Sequence, residues 1–455
     1  MPGDPRPLCQ RLARSAAVRE SPLTSPADPR DWLGELAAAD GSRAVPIPFA
    51  KLRRWGFHPG TGDLAHDSGG FFTVTALDVR VAHGPVEHWS QPILDQPEVG
   101  ILGILAQEFA GVLHFLLQVK WEPGNCDGPQ LSPTVQATRS NYTRVHGGRA
   151  VPYLHYFRQG ARHRTHVDVR QSEQGSWFYR KCNRNMIVEV DAAEDVEVLD
   201  GFRWLTLGQL HRLLSHDNLV NMDARSVLAC LPFPFPRTGV DPQEGILSWI
   251  TEVRSRQQVL TRRVPLTDVP GWRHTGEHIA HESGGFFRVM AVDVRARGRE
   301  VRGWTQPMIQ PVGSGVSALL VRRRFGVVQA LFSARVEAGC ADVLELAPTV
   351  QCAPRNYLCL PPEARPLFLD RVLRAPAERI VFDTVLSEEG GRFYHARNRY
   401  MIIEVAPGEL QDPGPGHRWI EPAGITALMR HSHYVNVEAR TLMACLQTVV
   451  APSSS

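Results

Sequence analysis

Residues 66–80 read His-Asp-Ser-Gly-Gly-Phe-Phe-Thr-Val-Thr-Ala-Leu-Asp-Val-Arg, and residues 281–295 read His-Glu-Ser-Gly-Gly-Phe-Phe-Arg-Val-Met-Ala-Val-Asp-Val-Arg. Eleven of the fifteen positions are identical at an offset of 215, where unrelated segments would share about one. The offset persists through Trp89/Trp304, Gln136/Gln351, Asn141/Asn356, Glu173/Glu388 and Asn183/Asn398 to Cys230/Cys445. Upstream it becomes 217 (Trp32/Trp249, Pro48/Pro265, Trp55/Trp272). A period this long is a duplicated domain and not a solenoid.

From this pair of strands the organisation follows outward. Residues 1–31 have the composition of a loosely attached leader. The first copy spans 32–231, a Pro-rich boundary with the start of a helix spans 232–248, the second copy spans 249–446, and 447–455 is a tail. Alternating prolines at 232, 234 and 236 can continue neither helix nor central strand. Within a copy, Phe71–Arg80, Val112–Trp121 and Phe178–Val190 read as strands. Leu207–Leu214 and 221–231 read as helices, the latter repeating at 436–446, and a helix is expected over 241–262. Strands followed by helices around a curved mixed sheet predict an α/β or α+β sandwich for each copy.

The chain has 455 residues and a net charge of +3, which argues against nucleic acid as main partner. Lysine occurs three times, at 51, 120 and 181; arginine supplies nearly all other positive charge. Guanidinium can clamp a phosphate but not act as a general base, so proton transfer falls to Glu, Asp, His or Tyr, with Lys120 and Lys181 behind them. The eight cysteines contain no Cys-x-x-Cys, and the repeat-equivalent Cys230 and Cys445 in an apolar helical context predict buried thiols in a reduced, cytoplasmic protein. The apolar run at 100–119 is interrupted by Gln107, Glu108 and His114 and reads as strands, with no membrane span. Phosphate-loop, G-x-G-x-x-G, H-E-x-x-H and G-x-S-x-G motifs are lacking.

The polar residues written twice remain. Gln118, Lys120 and Glu122 alternate along one strand face, placing a cation beside a carboxylate; the second copy has Ser333, Arg335 and Glu337. Tyr179 and Asn183 share a face with Lys181 between them, mirrored by Tyr394, Ala396 and Asn398. Arg184, Arg399, Arg225 and Arg440 are candidates for a diphosphate clamp or for structural ion pairs. Arg139, Thr143, Arg144 and His146 surround Asn141-Tyr142 in the first copy only, where the second has Pro354, Leu358, Cys359 and Pro361. That difference predicts one copy keeping the ligand while the other serves as scaffold.

The runs Trp89-Ser-Gln-Pro92, Glu122-Pro-Gly-Asn125, Leu131–Arg144, Asn221-Met-Asp-Ala-Arg-Ser226 and Ser387–Tyr400 resemble the NDP-hexose 2,3-dehydratases of antibiotic deoxysugar pathways. The resemblance covers about Trp32 to Leu446. It implies two tandem Nudix-like α/β/α domains, a homodimer, a dTDP-4-keto-6-deoxy-D-glucose substrate, no redox cofactor or metal, and a downstream 3-ketoreductase. Neither copy carries the Arg-Glu-x-x-Glu-Glu box, so diphosphate hydrolysis is not implied. Residue chemistry then nominates Glu122 or Glu173 as base and Lys120 or Tyr179 as donor or acid. Gln136, Arg139, Asn141, Tyr142, Arg144, Arg184, Tyr394, Asn398 and Arg399 are the expected substrate contacts. A non-catalytic nucleotide-sugar binding protein is the alternative.

Overall fold

The strands that follow the two Ser-Gly-Gly turns, Thr73–Val81 and Phe287–Arg295, each anchor a five-stranded antiparallel sheet in the computed structural model. The structure describes residues 6–23, 29–138, 150–158, 163–238, 243–297, 301–406 and 408–450. Among these residues the strands form four sheets, two of five strands and two of seven.

Each seven-stranded sheet is mixed. In the first, Gly100–Phe109 lies parallel to Cys182–Glu189 and antiparallel to Val112–Lys120. Arg164–Ser172 and Phe202–Thr206 close its two ends, and Gln130–Pro133 and Val135–Ala137 flank the centre. The 100–119 run is thus two buried central strands, apolar because both faces are covered. The second sheet repeats the order with Gly315–Arg324, Arg397–Glu404 and Val327–Arg335.

Helix Leu207–Leu214 starts with a capping box, Thr206 accepting from Gln209 N and Gln209 answering at Thr206 N. Met222–Ala229 and Val437–Val450 are capped by Asn221 and Asn436, whose side chains accept from Ala224 N and Ala439 N. These two helices pack against each other. Their apolar residues join both sheets in one core that includes Ile104, Phe115, Leu319 and Phe332.

Three expectations need correction. The helix expected over 241–262 covers Gln243–Arg256 and gives way to a strand, Val259–Val264. That strand pairs with Thr73–Val81 of the first repeat, while its counterpart Arg43–Ile47 pairs with Phe287–Arg295 of the second. The repeats therefore exchange their leading strands reciprocally. The strand expected from Phe178 begins only at Cys182, because Arg180 adopts φ 51° and breaks the extended run.

The leader is also not loose throughout. Helix Leu8–Ala17 buries Leu12 and Ala16 on the first core, and its Arg11 guanidinium meets Glu108, at 2.9 Å, and Glu189. His166 also bonds Glu189. Burial alone would push Glu189 up, but the bonds from His166 and Arg11 outweigh it and bring the carboxyl down to about 2. The composition of the leader concealed an amphipathic helix and a buried cation with two carboxylate partners.

Candidate active site

Strand Val112–Lys120 runs out into the turn Trp121-Glu122-Pro123-Gly124-Asn125, which docks on the other repeat. Gly124 N donates to Gly390 O at 2.7 Å, and His395 N donates to Gly124 O at 2.9 Å. A Cβ at position 390 would stand 3.0 Å from Glu122 Cβ, so glycine lets the two turns touch. The mirror contact joins Gly339 N to Gly175 O at 2.7 Å and Arg180 N to Gly339 O at 2.7 Å. Each repeat thereby carries the acidic turn of the other against its own Lys/Arg-x-Glu segment.

At the first of these junctions Lys120 Nζ lies 3.3 Å from Glu122 Oε1, as their spacing implied. Gln136 Nε2 donates to the same oxygen at 3.0 Å. Asp223, at the first turn of helix Met222–Ala229, is 4% exposed and joins them electrostatically. Burial, then repulsion from Glu173, Glu122 and Glu389, raises its pKa well above the usual carboxylate range against the pull of Lys120. Glu389 arrives from the second repeat with its carboxylate held by Gly391 N at 2.9 Å and Arg392 N at 2.7 Å. Burial and the neighbouring Glu122 lift it to about 7, with Arg392 opposing.

Glu173 sits at the hairpin before Cys182–Glu189 and accepts from Asn183 Nδ2 at 2.6 Å. Burial raises its pKa despite Arg440 and Lys181. Lys181, also buried, donates to Glu98 O, and desolvation lowers its pKa. One cluster therefore brings four carboxyls and two lysines within electrostatic reach of one another.

The second junction has the same frame with different chemistry. Arg335 stands for Lys120, Ala396 for Lys181, Gln174 for Glu389 and Glu438 for Asp223. Glu337 accepts from Arg335 Nε at 3.0 Å, Gln351 Nε2 at 3.1 Å and Ser176 Oγ at 2.8 Å. Glu388 accepts from Gln174, Asn398 and Tyr400 at 2.7–2.8 Å. Among the described residues, Glu173 Oε2, Asp223 Oδ1 and Gln136 Oε1 of the first cluster are buried without a hydrogen-bond partner; in the second, Glu438 Oε2 and Gln174 Oε1 are. Three orphan acceptors aimed at one junction are costly unless a ligand or proton answers them.

The nominated residues sort clearly. Lys120, Glu122, Glu173 and Gln136 come together. Tyr179 does not join them: it lies under the Arg180 and Arg263 guanidiniums beside Leu77, Val79 and Val336. Tyr394 stacks on His395 at 4.0 Å and packs with Trp121 and Trp304. Asn398 spends its amide on Gly315 N, 2.9 Å, and Glu388. Arg184 and Arg399 are not open clamps, because each forms a two-pronged pair, with Asp168 and Asp383 respectively. Arg225 and Arg440 are fully buried on backbone carbonyls. Arg139, Asn141, Tyr142 and Arg144, with Thr143 and His146, lie outside the described residues. Asp223 and Glu389 were missed, and Lys181 was ranked only behind the acids. The legible signal was departure between copies, Gln174 against Glu389 and Ala396 against Lys181.

The NDP-hexose 2,3-dehydratase family profile matches residues 27–231 and again 243–446. A relative from Amycolatopsis orientalis, dTDP-4-dehydro-6-deoxy-alpha-D-glucopyranose 2,3-dehydratase, is 51% identical over 99% of this chain and 96% of its own. Proteins of the same name from Saccharopolyspora spinosa (92% of this chain, 91% of that one) and Streptomyces violaceoruber (94% and 98%) are 47% and 44% identical.

Proposed function

Because the chain belongs to the NDP-hexose 2,3-dehydratases, we propose that the first-repeat cluster of Lys120, Glu122, Glu173, Asp223 and Glu389 is its reaction centre. The protein is a nucleotide-sugar hydro-lyase, and it removes the C2 hydroxyl of dTDP-4-keto-6-deoxy-D-glucose. The observation that carries the site is the asymmetry between junctions. The second saturates Glu337 and Glu388 with donors and uses arginine, whereas the first keeps two lysines and leaves a carboxylate oxygen of Glu173 and of Asp223 without a hydrogen-bond partner among the described residues. Acid–base chemistry needs groups that can give and take protons near neutrality.

The C4 ketone acidifies the C3 hydrogen. Glu122, paired with Lys120 and Gln136, takes that proton as a carboxylate. The C–H pair becomes the C3–C4 double bond, and charge gathers on the C4 oxygen, where the Lys120 ammonium stabilises it. The pair then returns to form C2–C3, the C2–O bond breaks, and the oxygen leaves as water with the proton of Asp223. Burial among carboxylates keeps Asp223 protonated and fits it for that task. The resulting enol tautomerises, gaining a proton at C2, to the 3,4-diketo-2,6-dideoxy sugar. Glu389 and Glu173 complete the proton reservoir. No step requires a redox cofactor.

Each repeat is read as a Nudix-like α/β/α unit that has lost the metal-binding box. A homodimer, a ketoreductase that consumes the reactive diketone, and a cytoplasmic setting fit this substrate chemistry.

In deuterated water the steps separate. Glu122→Gln should abolish exchange at C3, while Asp223→Asn should keep exchange and lose about 10²–10⁴-fold in elimination. C3 exchange at the wild-type rate in Glu122→Gln would refute the base assignment.

A further inference from the structure

We propose that Arg440, from the closing helix of the second repeat, is a positioning residue for Glu173 of the first, holding its hairpin in place and its charge in reach. This inference rests on the reaction centre proposed above. The guanidinium is fully buried, and its three nitrogens are all used. Nη2 donates to Ser172 O at 2.5 Å, Nη1 to Val435 O at 2.7 Å and Nε to Ser226 Oγ at 2.9 Å. Ser172 immediately precedes Glu173, so the cation is tied to the peptide that leads into the carboxyl-bearing residue. Ser172 Oγ is tied separately to Glu345 Oε2 at 2.6 Å, which fixes the same hairpin from a second side.

The charges facing Glu173 are Arg440 and Lys181, which favour its ionised form, and Glu388, Asp223 and Glu389, which oppose it. Asn183 hydrogen-bonds one oxygen, and the other has no partner among the described residues. Arg440 is the larger of the two cationic influences. A buried guanidinium without a carboxylate hydrogen bond of its own acts on whatever acid lies within a few ångströms, since low dielectric sustains the interaction.

The duplication supplies the control. Arg225 does the same on the other side, with Nη2 to Ser387 O at 2.6 Å, Nη1 to Val220 O at 2.5 Å and Nε to Thr441 Oγ1 at 3.4 Å. Its target, Glu388, is saturated by Gln174, Asn398 and Tyr400. The two arginines thus have matching structural roles, and only Arg440 serves a carboxyl of the reaction centre.

The test compares Arg440→Met, Arg440→Lys, Arg225→Met and Arg225→Lys in the full chain, with kcat measured against pH and folding followed by thermal melting. Removing Arg440 disfavours ionised Glu173, so the acid limb of kcat should move up by about one pH unit, a tenfold loss on that limb. Arg440→Lys should move it less, and either Arg225 variant should leave it in place while lowering Tm comparably. If the methionine variants do not fold, the two lysine variants carry the comparison. Equal limbs in the Arg440 and Arg225 series would overturn the proposal. Glu173→Gln separates this from failure of the site itself: full activity there overturns the reaction centre, whereas lost activity with an unmoved Arg440 limb overturns only the role of Arg440.

Discussion

Glu389→Gln tests the junction quantitatively, because the fold already contains its outcome: Gln174 occupies the mirror position and donates to Glu388 Oε2 at 2.8 Å. By the same pseudo-symmetry a glutamine at 389 reaches Glu173 Oε2, the buried oxygen without a partner. The Glu389 carboxyl is raised from 4.5 to about 7 by burial and by Glu122. A carboxyl raised on folding binds its proton more tightly in the folded chain. Its contribution to stability is therefore complete below the unfolded value and lost as pH climbs to about 7. The loss over that window is about 3 kcal/mol, or roughly 3 °C in Tm for a chain of this length. Glutamine has no such proton, so the variant should gain about 3 °C on wild type between pH 4.5 and pH 8. Thermal melts of both proteins across that range measure the difference. The same variant should lose about 10²-fold or more in kcat. Parallel Tm-versus-pH curves for the two proteins would refute the claim that Glu389 is a desolvated carboxyl.

Two further perturbations probe the frame. Glu337→Gln changes the acceptor of three donors, so it should cost about 1–3 kcal/mol of stability while leaving the acid limb of kcat unmoved; a shifted limb would place the chemistry at the second junction. Arg11→Met takes the cation from Glu108 and leaves Glu189 to His166 and should destabilise by about 3–5 kcal/mol, seen as faster proteolysis of the leader and a lower Tm; wild-type resistance would show the leader helix to be dispensable.

The sequence by itself determined the duplication, the tandem α/β architecture, the buried strands at 100–119 and the adjacency of Lys120 to Glu122, because repeats, alternation and i, i+2 spacing are local patterns. Its family resemblance agrees with the full-length matches. The reciprocal exchange of Arg43–Ile47 and Val259–Val264 was not legible, since strand pairing depends on partners roughly two hundred residues away. Nor was the company kept by Glu122. Glu389 and Asp223 reach it only because two glycine turns touch across the repeats and a capped helix aims its first turn inward. Nor were the partners of Arg184 and Arg399 legible: the cross-strand neighbours Asp168 and Asp383 each meet them in a two-pronged pair. Residue types and spacing decide what a side chain can do. Burial and long-range contact decide its protonation and its partners, and these arise only when both copies close on each other.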